Sequence, residues 1–263
     1  MKTAANAKRI VFKVGTSTLT HPNGKPDFRK FEMIAQTLSD MQNSGLEVVL
    51  VSSGAISAGC AKLGIAERPS TTAGKQAVSA VGQSELMRVY DHYFAEFGHK
   101  VAQILLTRDE LDRETVRENA ASTFDTLIGM GVIPIVNEND SLSYYEIEFG
   151  DNDTLSAHVA LLCRADALIL LSDIDGFCNA DPRSDPNARL IERVDEITDE
   201  IRAYAGGAGT RRGTGGLVTK LNAAEIVTAA GIPMYIINGS KPELIYDLRE
   251  GRSAGTFFAA KEE

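Results

Sequence analysis

Short apolar segments rich in β-branched residues recur along the chain, and each ends at glycine or at small polar residues. Helix-like segments separate them; in the first, apolar residues recur at helical spacing from Phe28 to Met41, behind the candidate N-cap Asp27 and ahead of Gly45. Continuous apolar strands that alternate with helices indicate a parallel sheet covered on both faces. The predicted strands are RIVFKV (9–14), LEVVLVSSG (46–54), KVAQILLT (100–107), GVIPIVN (131–137), ADALILLSD (165–173) and GIPMYII (231–237).

The ends of these predicted strands carry the candidate chemistry. In open parallel sheets ligands bind beyond the carboxyl ends of the strands, where this chain reads KVGTS, VSSGA, NENDS and LSDIDG. All four stretches are polar, small or acidic, so they predict a polar binding site at this edge of the sheet.

Composition and charge narrow the class of protein. The 263 residues suit one large α/β domain, and no linker or repeat forces a boundary, so we predict a single domain over 1–263. A net charge of -9 argues against a nucleic-acid or anionic-membrane binder. No leader or membrane-spanning run is seen, and three scattered cysteines predict neither disulfides nor a zinc site, so we expect a cytoplasmic protein.

One segment and one single lysine carry positive charge that could bind phosphate. GTRRGTGGLVTK (209–220) combines glycines with two arginines and a lysine, although it lacks the Walker A spacing. Lys13, one residue before the end of the first predicted strand, either aims its ammonium at a phosphate or extends to solvent. Arg211 and Arg212 are most simply solvated charge.

The remaining strand ends admit a functional and a structural interpretation. Ser52, Ser53 and Gly54 either bind an anion at a helix N-terminus or cap that helix, and Asp153 either orients nearby cations or caps the next helix. Ser172 and Asp173 either bind a nucleotide or start a loop. The four histidines lack metal-ligand spacing.

Taken together, a collinear series of motifs from about Arg9 to about Phe258 closely resembles the amino-acid kinase family, in particular its glutamate-phosphorylating members. The combination of AVGQ, NEND and GDND is the most specific part of this resemblance. The series is FKVGTS, VSSGAISAG, KQAVSAVGQSELM, QILLT, PIVNENDS, FGDNDTLSA, LLSDIDG, ADPRSDP and GTGGLVTKLNAAEIVTAAGI.

The resemblance implies a three-layer αβα sandwich around a mainly parallel sheet of about eight strands. It implies an N-terminal half that binds L-glutamate and a C-terminal half that binds Mg²⁺ and ATP. The implied reaction transfers the γ-phosphoryl group of ATP to the γ-carboxylate of L-glutamate, the first step of proline biosynthesis. It also implies a homo-oligomer (dimer or tetramer), L-proline as a feedback inhibitor and a glutamyl-phosphate reductase as the consumer of the product.

The resemblance also assigns roles by motif. Lys13 and Lys220 match the lysines that bracket the transferring phosphoryl group, and Asp153 matches the aspartate that organises them. The glutamate-binding positions are Ser53, Gly54, Asp140 and Asn152, and the ATP-binding positions are Lys13, Ser172, Asp173, Thr214, Gly215, Gly216, Leu217, Val218, Thr219 and Lys220.

The chain differs from the family pattern at a few positions, and two other functions stay open. Ser172 replaces a frequent threonine, Val218 replaces a small polar residue, and the 263 residues leave no room for the PUA domain that many such kinases carry at the C-terminus. One rival is a family member acting on aspartate, N-acetylglutamate, carbamate or a nucleoside monophosphate. The other is a non-catalytic nucleotide or proline sensor.

Overall fold

A computed structural model describes residues 2–107, 111–142, 152–180, 185–206 and 216–261. Within these ranges eight strands form one sheet in the order β3-β4-β2-β1-β5-β7-β8-β6. The strands are β1 Arg9–Val14, β2 Glu47–Ser52, β3 Lys100–Leu106, β4 Val132–Glu138, β5 Ala167–Ser172, β6 Arg193–Val194, β7 Met234–Asn238 and β8 Thr256–Phe258.

Helices connect the strands, as the apolar spacing predicts. Asp27 caps the second helix by accepting a hydrogen bond from the Lys30 backbone N–H. Helices in the described ranges are α1 Thr16–Leu19, α2 Phe28–Asn43, α3 Ala55–Leu63, α4 Thr72–Glu96, α5 Glu114–Gly129, α6 Asn152–Leu162, α7 Asp199–Tyr204, α8 Gly216–Ala229 and α9 Leu244–Arg249. None of the helices in these ranges is long and apolar enough to cross a membrane.

The chain divides into two compact units. The first is Val14–Asn152, and the second combines Met1–Lys13 with Asp153–Glu263. In the first unit β4 pairs in parallel with both β2 and β3. In the second unit β5 and β7 are parallel, whereas β8 runs antiparallel to β7 and parallel to β6. The predicted α/β class with a mainly parallel sheet of about eight strands is confirmed.

Burial follows the position of each strand in its unit. Every residue of β5 is buried, and β1, β2 and β4 are buried after their first residue, so both faces of these strands are covered. The prediction that the apolar strands are covered on both faces is wrong for β3 (KVAQILL), which lies at the end of the strand order and is largely half-exposed. The polar Lys100 and Gln103 are its exposed members.

Two glycines let helices α3 and α4 touch backbone to backbone in the first unit. A Cβ built on Gly82 would lie 1.7 Å from the Ala55 carbonyl oxygen, and one on Gly59 would lie 2.0 Å from that of Val78. No other residue type fits at these two positions without moving a helix. The N-terminus of α3 is thereby fixed against α4.

Replacing Gly82 tests this helix contact. We expect Gly82→Ala to lower the free energy of unfolding by about 3 kcal/mol, because the added methyl group meets a backbone carbonyl that cannot move alone. Gly129→Ala is the matched control, since nothing lies within 4 Å of its Cβ position, and it should change stability by less than about 1 kcal/mol. Urea unfolding of both variants measures these changes in stability. Equal stabilities would contradict the close contact between Gly82 and Ala55.

Candidate active site

Lys13, Asp153 and Lys220 meet in the second unit. Lys13 Nζ lies 2.5 Å from Asp153 Oδ1, and Lys220 Nζ lies 3.1 Å from Asp153 Oδ2, so each ammonium holds one oxygen of the same carboxylate. Both lysines are 8% exposed and Asp153 is 2% exposed. The structure therefore excludes the alternative in which Lys13 extends to solvent.

Three elements bring this cluster together. Lys13 stands one residue before the end of β1, Asp153 stands in the first turn of α6, and Lys220 stands one turn into α8. Asp153 lies within α6, which begins at Asn152, and its carboxylate is bound by the lysines. The capping interpretation of Asp153 is therefore not needed.

The charges of the cluster support one another. Burial raises the pKa of the Asp153 carboxyl, but the two lysine ammonium groups outweigh burial and hold that pKa at about 2. The carboxylate is therefore ionised at neutral pH. Two ammonium groups against one carboxylate leave a net positive charge in a buried site, which favours an anionic ligand.

The described end of the glycine-rich segment is helical. Gly216 opens α8, and Thr219 Oγ1 donates a hydrogen bond to Asp153 Oδ2 at 2.9 Å. Lys220 Nζ also donates to the Gly216 carbonyl at 3.1 Å. The hydroxyl of Thr219 thus contacts the aspartate that holds the lysines. Leu217 is buried and Val218 half-buried, while the predicted positions Thr214 and Gly215 lie outside the described residues, as do Arg211 and Arg212.

Ser172 and Asp173 lie at the carboxyl end of β5, as predicted. Ser172 Oγ donates a hydrogen bond to Asp173 Oδ1 at 3.3 Å. Ser172 is paired in register with Asn238 on β7, whose Nδ2 donates to Asp175 Oδ1 at 2.8 Å. Polar side chains of β5 and β7 therefore line one edge of the second unit.

A protein-held magnesium site does not fit the described residues. Within the described ranges no three His, Cys, Asp or Glu side chains are grouped closely enough to hold a metal ion. Asp153 is committed to two ammonium groups, which repel a divalent cation. Magnesium usually binds through substrate phosphates with one or two carboxylates, so we treat Mg²⁺ as part of the nucleotide substrate.

A network of amides joins the predicted glutamate-binding positions of the first unit. Asn152 Nδ2 lies 2.9 Å from the Ser52 carbonyl, 3.0 Å from Ser53 Oγ and 2.8 Å from Asn137 Oδ1. Gly54 precedes α3 with a φ of 101°, a conformation that favours glycine, and neither serine caps that helix. The first N–H groups of α3 thus remain donors for an anion.

Asp140 follows β4 and is half-buried. Its Oδ2 accepts a hydrogen bond of 2.6 Å from Ser79 Oγ on α4. Burial raises the pKa of the Asp140 carboxyl, and the Ser79 hydroxyl and the Arg68 charge oppose that shift. The Ser79 hydroxyl and the Arg68 charge thus both favour the ionised form of this half-buried carboxyl.

Two polar groups at this site were not singled out from the sequence. Asn137 is buried, with 5% of its surface exposed, and its Nδ2 has no hydrogen-bond partner among the described residues. Ser79 is fully buried in helix α4. Asn137 belongs to the NEND motif and could have been named from it, whereas nothing in AVSAV signals that the Ser79 hydroxyl contacts Asp140.

The pH dependence of stability tests the charge cluster. A carboxyl whose folded pKa is depressed stabilises the fold above its unfolded pKa, and this stabilisation is lost as the pH falls towards the folded value of about 2. Between about pH 5 and about pH 2 the protein should lose about 2 kcal/mol through Asp153.

The amide in Asp153→Asn does not titrate, so the variant should lack this loss. At pH 7 it should be about 3 kcal/mol less stable, because both lysines remain buried without their counter-ion. Urea unfolding at a series of pH values measures both effects; parallel pH profiles for the two proteins would contradict the assigned ion pairs.

Comparison with known proteins places the chain in a family. A family model described as the amino acid kinase family matches residues 8–238. Among solved structures, carbamate kinase from Giardia lamblia bound to AMP-PNP superposes with a TM-score of 0.67 at 17% identity, covering 98% of this chain and 100% of that one. Isopentenyl phosphate kinase from T. acidophilum gives 0.63 at 20% identity, covering 95% and 99%. These structures support the fold alone.

Curated relatives are similar over nearly their whole length. Glutamate 5-kinase from Clostridium perfringens is 52% identical, over 99% of this chain and 98% of the relative. The same enzyme from Listeria welshimeri is 50% identical, over 98% and 95%, and that from Clostridium acetobutylicum is 51% identical, over 100% and 98%. The chain belongs to the amino acid kinase family, in the group of its glutamate 5-kinases.

Proposed function

We propose that this protein transfers the γ-phosphoryl group of ATP to the γ-carboxylate of L-glutamate, which yields L-glutamyl 5-phosphate and ADP, the first step of proline biosynthesis. The observation that carries the proposal is the pair of buried lysines on one carboxylate, Lys13 and Lys220 on Asp153. Identity of about half with three glutamate 5-kinases supports glutamate as the acceptor.

The reaction needs no general base. A glutamate side chain has an ordinary pKa of about 4.3, so its γ-carboxylate is already ionised at neutral pH. One carboxylate oxygen forms a bond to the γ-phosphorus of ATP, and the bond from that phosphorus to the bridging oxygen breaks with its electron pair remaining on ADP. Catalysis then consists of positioning two anions and stabilising negative charge.

The lysine cluster suits this requirement. Each ammonium has three N–H donors; Lys13 uses one on Asp153, and Lys220 uses one on Asp153 and one on the Gly216 carbonyl, so donors remain for phosphate oxygens. Because the cluster is buried, its net positive charge acts through a medium of low dielectric constant. Asp153 keeps the two like charges in place, so the site is arranged before the nucleotide binds. Bound Mg²⁺ would neutralise further phosphate charge.

The first unit offers groups that complement free glutamate. The Asp140 carboxylate and the side-chain amide oxygen of Asn152 are acceptors for an α-ammonium group. Asn137 Nδ2, which has no hydrogen-bond partner among the described residues, and the first N–H groups of α3 are donors for a carboxylate. A nucleoside monophosphate would instead require several cationic groups around Asp140 and Asn152 to bind its phosphate. Among the described residues, Arg68 is the one cation whose charge lowers the pKa of Asp140.

Further properties come with the family resemblance and remain predictions. They are Mg²⁺ as the metal accompanying ATP, a homo-oligomeric state, inhibition by L-proline, transfer of the product to a glutamyl-phosphate reductase, and a cytoplasmic location. The division into an N-terminal glutamate-binding half and a C-terminal ATP-binding half also remains a prediction.

Trapping the acyl phosphate tests the proposed reaction. With Mg-ATP and hydroxylamine, the purified protein should form a hydroxamate from L-glutamate, because hydroxylamine displaces phosphate from acyl phosphates. L-Aspartate and N-acetyl-L-glutamate, as matched acceptors, should give none. A hydroxamate from another acceptor would contradict glutamate specificity, and ATP binding without any hydroxamate would contradict the kinase and favour the sensor.

A further inference from the structure

Helix α4 makes three hydrogen-bonding contacts with the polar ends of β2 and β4, which carry the proposed glutamate site. Ser79 Oγ donates to Asp140 Oδ2, Gln83 Nε2 donates to the Glu138 carbonyl at 3.1 Å, and the Tyr90 hydroxyl lies 2.7 Å from Ser52 Oγ. All three α4 side chains are buried. Their spacing of four and seven residues places them on one face of the helix. One rigid element therefore fixes the positions of several site residues in the first unit.

The contact between Ser79 and Asp140 is the one that reaches a charged side chain. Its distance of 2.6 Å is typical of a hydroxyl bonded to a carboxylate, which is stronger than a bond between neutral groups. Ser79 is fully buried, so it contacts Asp140 from the protein interior. Among the described residues no hydrogen bond engages the other oxygen, Oδ1.

We propose that Ser79 is a positioning residue for glutamate, acting through Asp140. Its hydroxyl holds Oδ2 and so fixes the rotation of the carboxylate, which turns Oδ1 towards the substrate ammonium group. The inference rests on the proposed function and adds to it a residue that makes no contact with substrate. Gly82 supports the arrangement, because its backbone contact with Ala55 prevents α4 from shifting along α3.

The electrostatics agree with this geometry. Burial raises the pKa of Asp140, and the hydrogen bond from Ser79 together with the charge of Arg68 opposes that shift. The hydroxyl therefore helps to keep the carboxylate ionised as well as oriented. Both effects favour binding of an ammonium group and neither acts on the phosphoryl group.

Steady-state kinetics of four variants test the proposal. Ser79→Ala should raise the KM for L-glutamate about tenfold, since a hydrogen bond to a charged group is lost, while kcat and the KM for ATP change less than about twofold. Ser79→Cys keeps the volume but offers a weak donor, so it should raise the glutamate KM in the same direction. Ser39→Ala is the matched control: Ser39 is equally buried, and its Oγ has no partner among the described residues. Asp140→Ala should itself raise the glutamate KM about tenfold or more.

A double-mutant cycle separates positioning from general packing. If Ser79 acts through Asp140, adding Ser79→Ala to Asp140→Ala should change the glutamate KM by less than about twofold. The proposal is overturned if Ser79→Ala leaves KM unchanged, if Ser39→Ala raises it equally, or if the Ser79 effect persists in full without Asp140. A wild-type protein that forms no glutamyl hydroxamate contradicts the proposed function itself, whereas glutamate turnover with an unaltered Ser79→Ala KM contradicts this inference alone.

Discussion

The candidate phosphoryl site depends on one carboxylate that holds two buried lysines. Without Asp153, Lys13 and Lys220 would be two like charges removed from water, and their mutual repulsion would add to the cost of desolvation. With it, each ammonium has a fixed partner and the cluster retains one positive charge. β1, α6 and α8 each contribute one charged side chain to this cluster.

The proposed glutamate-binding positions are held together by hydrogen bonds rather than by ion pairs. Uncharged amides and hydroxyls of the first unit bind one another, and Asn152 connects the ends of β2 and β4 through three acceptors. Buried polar groups need such partners, and Asn137 Nδ2 has none among the described residues, so a ligand could complete the network there. Close packing of α3 on α4 keeps this network in register.

Much of this organisation could be predicted from the sequence, because strand ends and helix starts are local features. The six apolar runs correspond to β1 to β5 and β7, and Lys13, Asp140 and Ser172 lie at the strand ends where the pattern placed them. β6 and β8 consist of two and three residues, too short for a hydrophobic period to show. The ion pairs on Asp153 join residues far apart in the chain, so spacing alone could not choose between capping a helix and binding lysines. Ser79 illustrates the same limit, since its partner lies on another element.

The turnover of single lysine variants tests whether the cluster on Asp153 acts in phosphoryl transfer. Lys13→Ala and Lys220→Ala should each lower kcat for glutamyl phosphate formation by at least about 100-fold, because each removes a charge that stabilises the transferring phosphoryl group, while the KM for L-glutamate stays within about threefold. The exposed Lys241→Ala is the matched control and should keep wild-type kinetics. Wild-type kcat in either buried-lysine variant would contradict the assignment of the Asp153 cluster to phosphoryl transfer.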